Sequence, residues 1–559
     1  MLLALILIQL NIGNAGGTGK NLPQTAIVWG YMGLFALFVL WRTRYKLGFF
    51  TPTSISILVA TLLLSLPWFL TRTAWQMEAL WPLLGLLAGV AFYLSVLQFR
   101  WSLARLQRVL LFIVIATLLQ AGLVLWQYAF PEASVNGFTY PRDKLLRPSG
   151  VFQQVNLLAS FTATGLAVAL LLYLTPVFVR LRPRNAPGYR AMLAVALLLL
   201  PMLLVILQSR IGWLGGSSAA LLLLFRRRQD SRRVLMASAL IVCGVTLGIA
   251  CFWGGLSTSL THENSNYARG IMLRETVEMI LAHPWQGWGY GGFEYNFQHF
   301  RLQKGESTLG VGIATHPHNE YLYRWVEGGI FALAGMLILT LAGGWLFWGA
   351  YKQDKRLKHT SKTGVLIGLG YCLLPLVLHT QTEYPFYLSA LHWGVFLLLL
   401  AIWDRLITPR HHQFHLPQTV THMGRTLLTG VMLATLVFTA SGGYSGWVLW
   451  RFEQQGFKGA FPYWQVNPWL LAERAHFDEQ VASLLSFNLD RSEQRLNQYA
   501  TWAKAYSATH IDREVYAHLV QVLRIQGLQV SAAEWGWEGY RFFPDDPRFQ
   551  IYANQREKR

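Results

Sequence analysis

Apolar runs of about 17–25 residues recur along the first four-fifths of the chain, the length an α-helix needs to cross the hydrocarbon core of a bilayer. No other feature narrows the fold so far. Inside lipid each backbone amide must find its partner within the spanning element, which excludes open sheets and leaves helices. Composition agrees. Of 559 residues, 53% are hydrophobic and 13% charged, against about 25% charged in an ordinary soluble domain, and the mean hydropathy is +0.33. The fold class is therefore all-α: a polytopic membrane protein. Twelve spans are expected near 26–41, 53–70, 78–98, 109–129, 154–179, 191–208, 211–225, 234–254, 329–350, 363–380, 386–404 and 426–449. The opening "MLLALILIQL" is either a thirteenth span or a short signal-like anchor.

The formal net charge is +20. In a soluble protein that would suggest nucleic acid. Here much of the Lys and Arg lies in short connectors, so no nucleic-acid partner is expected. The basic connectors alternate: "RTRYK" after Trp41, "RWSLARLQR" at 100–108, "RLRPRNAPGYR" at 180–190, "RRRQDSRR" at 226–233, "YKQDKRLKHTSK" at 351–362, and 405–425. The positive-inside rule makes these cytoplasmic. Residues 130–150, the turn Gln208–Arg210, the long loop 255–328, "QTEYPFY" at 381–387 and everything after Trp450 then face outward. The inner membrane of a diderm bacterium, with these loops in the periplasm, suits this arrangement. Cys243, Cys251 and Cys372 lie inside apolar runs, with neither metal spacing nor a disulfide framework.

This topology divides the chain into N-terminal spans (1–130), spans carrying further outward polar segments (131–254), the long loop (255–328), C-terminal spans (329–450) and a polar C-terminal segment (451–559). Long loops with structure of their own tend to carry function. Residues 267–281 have helical periodicity, with Leu273, Val277, Ile280 and Leu281 on one side. Arg274 and Glu278 are expected to pair, whereas Arg269 lies nearer the apolar side and is the better ligand candidate. "HPWQGWGYGGF" (283–293) supplies glycines for tight turns and close ligand approach; aromatic-glycine loops also line membrane interfaces.

In "THPHNEYLYRWVEGGI" (315–330), Pro317 suits the first position of a helix running through Glu320, Tyr323, Arg324 and Glu327. His318 then falls in the first turn, where the helix dipole disfavours imidazolium and leaves the neutral ring a general base needs. His316 is two residues away and off that face. Capping or surface histidines are the competing reading.

Arg210 in "QSRIGW" stands between two apolar runs, where a charge is either functional or snorkelling to the interface. "RPSGVFQQVNLLASF" places Gln153, Gln154 and Asn156 at the entry to a span. "LHTQTEYPFYLSALH" adds His379, Gln381, Glu383, Tyr384 and His392. Together Arg142, Lys144, Arg147, Arg210, Arg269 and Arg274 face outward against the usual charge bias. Such a cluster attracts an anionic lipid head group, most simply a diphosphate. With His318 beside it, the combination suits transfer of a group from a lipid carrier to a hydroxyl.

Five segments in this order, "RPSGVFQQVNLLASF", "QSRIGW", "ARGIMLRETVEMILAHPWQGWGYGGF", "THPHNEYLYRWVEGGI" and "EYPFYLSALHW", resemble the Wzy/WaaL/PglL superfamily of bacterial glycan polymerases, O-antigen ligases and O-oligosaccharyltransferases. The resemblance covers roughly residues 140–405 and is nearest to the PglL type. It implies a GT-C-like fold, an undecaprenyl-diphosphate-linked oligosaccharide donor at the periplasmic face, and an acceptor Ser or Thr of an exported protein such as a type IV pilin. It matches His318 to the catalytic base and Arg210 and Arg269 to donor-diphosphate ligands; the outward-facing Arg274 and Arg147 are expected to join them. Gln154, Asn156, His316, Asn319, Glu327, Glu383 and Tyr384 are substrate-binding or supporting residues. Leu273 departs from the Trp that relatives often carry there. No carboxylate pair or metal motif stands out, so no essential metal and no cofactor is expected. A lipopolysaccharide ligase or polysaccharide polymerase would use the same site with another acceptor. A lipid-linked glycan transporter would explain the spans and the buried polar groups, but the polar groups gather at one face. Residues 451–559 read as successive amphipathic helices, similar to tetratricopeptide pairs.

Overall fold

The computed structural model describes residues 19, 23–42, 46–130, 148–152, 154–181, 186–253, 263–357, 360, 362–408, 412–415, 418–467 and 469–556. The opening decapeptide, Arg142, Lys144, Arg147 and Gln153 lie outside the described residues. The chain forms two compact units, one of Met1–Leu58, Leu86–Leu260 and Leu339–Trp447, the other of Val59–Gly85, Thr261–Ile338 and Val448–Arg559.

The elements in chain order are α1 (Pro23–Arg42), β1 (Lys46–Phe50), α2 (Pro52–Ser65), α3 (Thr73–Leu97), α4 (Leu103–Ala129), α5 (Val155–Leu174), α6 (Pro176–Arg180), α7 (Ala186–Leu207), α8 (Arg210–Arg226), α9 (Ser231–Trp253), α10 (Glu263–Ala282), α11 (Phe293–Gln303), α12 (Glu320–Arg356), α13 (Val365–His379), α14 (Pro385–Leu388), α15 (Ala390–Ile407), β2 (His412–His415), α16 (Gln418–Gln454), and α17 to α21 (Ala472–Asp490, Glu493–Ser507, Arg513–Ile525, Gln529–Phe542, Pro547–Arg556). Among the described residues the fold is all-α apart from one antiparallel ribbon, β1 on β2, which pairs Lys46 with His415 and Leu47 with Phe414. Each of the twelve expected spans is a helix. Among the described residues ten are long and apolar enough to cross a membrane. The other two, α8 and α13, are shorter, at 17 and 15 residues.

In the first unit α5 is the central helix and packs against α4, α7, α8 and α13. Its sequence is apolar on every side, as a fully surrounded helix requires. Its hydroxyls return to its own backbone: Ser160 to the Leu157 carbonyl (3.1 Å), Thr162 to Leu158 (2.8 Å) and Thr164 to Ser160 (2.9 Å). Burial therefore leaves none of these three hydroxyls without an acceptor.

The second unit holds the long loop and the C-terminal helices. α10 buries Met272, Glu275, Thr276, Met279 and Ile280, while Leu273, Val277 and Leu281 are 36%, 42% and 72% exposed. This corrects the expected apolar face, which placed those leucines with Ile280. Glu275 decides the orientation: its carboxylate accepts from Arg301 on α11 at 2.6 Å, both side chains are buried, and Arg301 also donates to the Ser307 carbonyl. A buried ion pair held this way cannot turn outward without losing both partners. Each of α17 to α21 packs on the next. Leu496, Tyr499, Val515 and Leu519 form one core, and Tyr516, Phe542, Phe549 and Tyr552 a second. Leu302 and Ile313 of the long loop pack on that second core, and the Thr308 hydroxyl donates to the Phe542 carbonyl at 2.5 Å.

Candidate active site

In the first unit, polar groups from two segments converge on Glu383, which is only 3% exposed. Gln154 Nε2 donates to Oε2 at 3.1 Å and Asn156 Nδ2 to Oε1 at 2.6 Å. His379 Nε2 lies 3.3 Å from Oε2, and its Nδ1 is 2.8 Å from the Ser160 hydroxyl. His379 and Glu383 meet because α13 ends between them: the Glu383 amide still bonds the His379 carbonyl at 2.9 Å. Tyr384 follows, half-buried, with its ring 6.5 Å from that of Tyr387. His392 serves the fold. It is buried against Phe152 and Phe161, with Nε2 on the Leu157 carbonyl at 3.0 Å.

The amide cluster continues to Arg210. Ser209 donates to Asn156 Oδ1 at 2.7 Å and caps the amino end of α8, accepting from the Gly212 amide. Arg210 is the next residue and is exposed. A cation in the first turn of a helix opposes the dipole, at a cost of about 0.3–1 kcal/mol. The same position adds a guanidinium to outward-pointing amides, the combination that binds phosphate groups. Sequence reasoning named Asn156, Glu383 and Arg210 separately. It missed Ser209, whose N-cap position was the available signal.

In the second unit the structure corrects the start of α12. The helix begins at Glu320, not Pro317, because the Asn319 side chain accepts from the Leu322 amide (3.1 Å) and its carbonyl from the Tyr323 amide (2.9 Å). His318 precedes this cap in a left-handed conformation, φ 58°, which costs a non-glycine residue about 1–3 kcal/mol and is concentrated at functional sites. Its amide donates to His316 Nδ1 at 2.9 Å. The buried His316 ring lies 4.2 Å from Tyr323, and its Nε2 is 3.7 Å from Glu320, which also accepts from Arg324 at 2.9 Å. His316 thus supports the backbone of its neighbour, while the half-exposed ring is that of His318.

The two glycine-bearing motifs are a single interlocked structure. The Trp288 amide donates to the Val326 carbonyl (2.8 Å), Gly289 to Glu327 (2.9 Å) and Ile330 to Trp285 (3.0 Å). The approach requires glycine twice. A Cβ on Gly287 (φ 70°) would lie 2.5 Å from the Glu327 carbonyl oxygen, and one on Gly329 (φ 60°) 2.2 Å from that of Trp285. Glu327 itself is buried and accepts from the Phe293 amide at 3.2 Å, the first residue of α11, with Tyr323 and the Gly291 amide as further donors. Tyr290 anchors the loop by donating to the Leu64 carbonyl at 2.7 Å, and burial pushes its phenol up to about 12.

Arg269 is half-buried and stands one turn before Leu273 on the exposed stripe of α10. Arg274 is 62% exposed, 3.9 Å from Glu278 and 3.6 Å from Glu275, so the expected i,i+4 pair forms.

Helices long and apolar enough to span a bilayer, together with these polar clusters, define a multi-pass membrane protein. Three family comparisons name that class. The O-antigen ligase family matches residues 194–337, the C-terminal region of the virulence factor membrane-bound polymerase family matches 369–557, and the protein glycosylation ligase family matches 148–173. The chain belongs to this superfamily of O-antigen ligases, membrane polymerases and protein glycosylation ligases, and it is an enzyme of the glycosyltransferase type. No curated protein matches it.

Proposed function

We propose that the protein transfers an oligosaccharide from undecaprenyl diphosphate to Ser or Thr hydroxyls of an exported protein, probing pilin first, at the outer face of a bacterial inner membrane. The observation that carries a protein acceptor is local. The stretch matching the protein glycosylation ligase family, 148–173, holds the Gln154 and Asn156 amides that converge on Glu383. Arg210, at a helix amino terminus, and Arg269 hold the diphosphate and offset its charge as it departs; Arg147 and Arg274 are secondary ligands. His318 takes the hydroxyl proton as the acceptor oxygen bonds the anomeric carbon. The bond from that carbon to the diphosphate oxygen breaks, and the lipid diphosphate leaves with the electron pair. Its strained backbone and half-exposed ring suit this role, as does the amino end of α12 beside it, which favours the neutral imidazole. His316, Asn319, Glu327, Glu383 and Tyr384 position these groups. The stacked C-terminal helices dock the acceptor.

The test is co-expression with a pilin and a glycan locus, reading acceptor mass. Native enzyme adds the glycan, and His318→Ala loses about 10²–10⁴ in rate; unchanged glycosylation in the variant removes His318 from the chemistry. The longer O-antigen ligase and polymerase matches favour a second reading, a carbohydrate acceptor. Glycosylated lipid A core with unmodified protein would select it.

A further inference from the structure

The segment that follows α16 folds back onto the helix it leaves. Val466, Leu471 and Ala475 form a small core with Val448 and Leu449, and Phe461 packs against it. The Phe461 ring also meets that of Phe452 edge-on, with centroids 5.7 Å apart. Val448 and Leu449 close the apolar run 426–449 of a helix long and apolar enough to cross a membrane. The segment is thereby held at the depth where that run ends, the boundary between hydrocarbon and head groups.

At that depth it turns aromatic side chains outward. In the 3₁₀ turn Tyr463–Gln465, Trp464 is fully exposed and Tyr463 is 60% exposed; Trp469 is 69% exposed. Large rings bared so close together mark an interaction surface. Indole and phenol suit a bilayer interface, because the ring is apolar while its polar edge stays wet. Tyr463 shows that division: its ring is exposed and its hydroxyl donates to Glu479 of α17. Arg451, near the helix end, and Lys458, just after it, are exposed and match phosphate head groups in charge. Lipid is favoured over a protein partner by position. α16 itself bares Leu433, Val437 and Tyr444, the apolar flank that lipid covers, and the aromatic segment lies at the end of that flank.

We propose that this segment is a lipid-binding platform, with Tyr463, Trp464 and Trp469 seated about 5–10 Å into the head-group boundary at the carboxy-terminal end of α16. The platform carries α17 with it. Arg474 holds Glu453 through two hydrogen bonds of 2.7 Å, and Tyr463 holds Glu479, so the C-terminal helices rest on the bilayer surface. The proposal is independent of which acceptor the enzyme uses.

The test places an NBD fluorophore at Trp464→Cys or Trp469→Cys in the full chain, in nanodiscs of phosphatidylethanolamine and phosphatidylglycerol. Cys243→Ala and Cys251→Ala remove the accessible thiols; Cys372 is buried. Val437→Cys, exposed midway along the apolar run, gives the reference for lipid contact. The quenchers are lipids carrying a nitroxide near the head group or at the bilayer centre, and iodide in the water. Positions 464 and 469 are expected to lose more emission to the shallow nitroxide than to the deep one, and position 437 the reverse. Quenching by iodide alone puts the segment in water and overturns the proposal. Protection from all three quenchers means that protein covers it, which overturns the proposal equally. Should one cysteine variant misfold, the other reads the same segment.

Discussion

Replacing Glu383 with Gln changes one oxygen to an NH₂ at the point where two amide donors and the His379 ring converge. Gln154 and Asn156 each point an NH₂ at a different carboxylate oxygen, and His379 shares the one used by Gln154. A carboxamide keeps one acceptor and sets its own NH₂ against one of these donors. The flip that preserves the shorter contact, to Asn156, abandons Gln154. Losing one charge-assisted hydrogen bond removes about 1.5–3 kcal/mol, and a stranded buried donor adds about 1–3 kcal/mol. Relaxation brings the total toward the low end, about 3 kcal/mol, which corresponds to about 10²-fold in rate if it falls on the transition state. That is expected because Asn156 holds Ser209, the residue before Arg210. The assay is the initial rate of glycan transfer in nanodiscs by intact-protein mass, run as a double-mutant cycle with Asn156→Ala. Residues acting as one network give a coupling of about 0.5–3 kcal/mol. A near-native rate for Glu383→Gln, or strictly additive losses, would show that the cluster does not position Arg210.

Arg210→Ala is expected to lose about 10²–10³ in transfer rate, whereas Arg274→Ala, exposed and already ion-paired, should stay within about fivefold; the same transfer assay compares them. Gly329→Ala should lower the unfolding midpoint and abolish transfer, since φ 60° and ψ −150° is a region open essentially to glycine, at a cost of about 1–3 kcal/mol before the clash with Trp285 is counted. Burial beside Glu453 raises the Asp478 carboxyl to about 8, so the folded chain keeps a proton that the unfolded chain releases above about pH 4. The stabilisation is complete below pH ~4 and is lost as pH rises through ~8. Thermal unfolding of Asp478→Asn from about pH 5 to 8 should lack most of that slope and show a higher midpoint than wild type at pH 8.

The spans were legible because bilayer thickness dictates their length, and no long-range partner is needed to see it. The C-terminal helices were legible for a related reason: their apolar stripes meet the next helix in sequence. What failed to show were decisions made by distant residues. The face of α10 is chosen by Arg301, 26 positions from Glu275. The ribbon of β1 with β2 joins segments that carry no strand pattern of their own. The amides at 154 and 156 and the carboxylate at 383 were each visible, but nothing local says that they meet across more than two hundred residues. At α12 the strong local signal misled. Pro317 is a good first helical residue, yet Asn319 caps the helix and leaves His318 outside it.

That displacement explains how a loop far along the chain can set the histidine. A histidine inside the first turn would take its direction from the helix alone. Outside it, the left-handed backbone at His318 must be held by neighbours, and the available ones are specific. His316 accepts its amide, Tyr323 packs on His316, and Tyr323 also reaches Glu327, whose carboxylate accepts the Phe293 amide at the end of the aromatic-glycine loop. The loop in turn rests on Val326, Glu327 and Ile330 through backbone bonds that only Gly287 and Gly329 leave room for. Each glycine is tolerable only if the opposite strand of chain is present, so neither motif has a purpose alone. Their joint occurrence is the signature of one rigid support that carries the half-buried His318 imidazole.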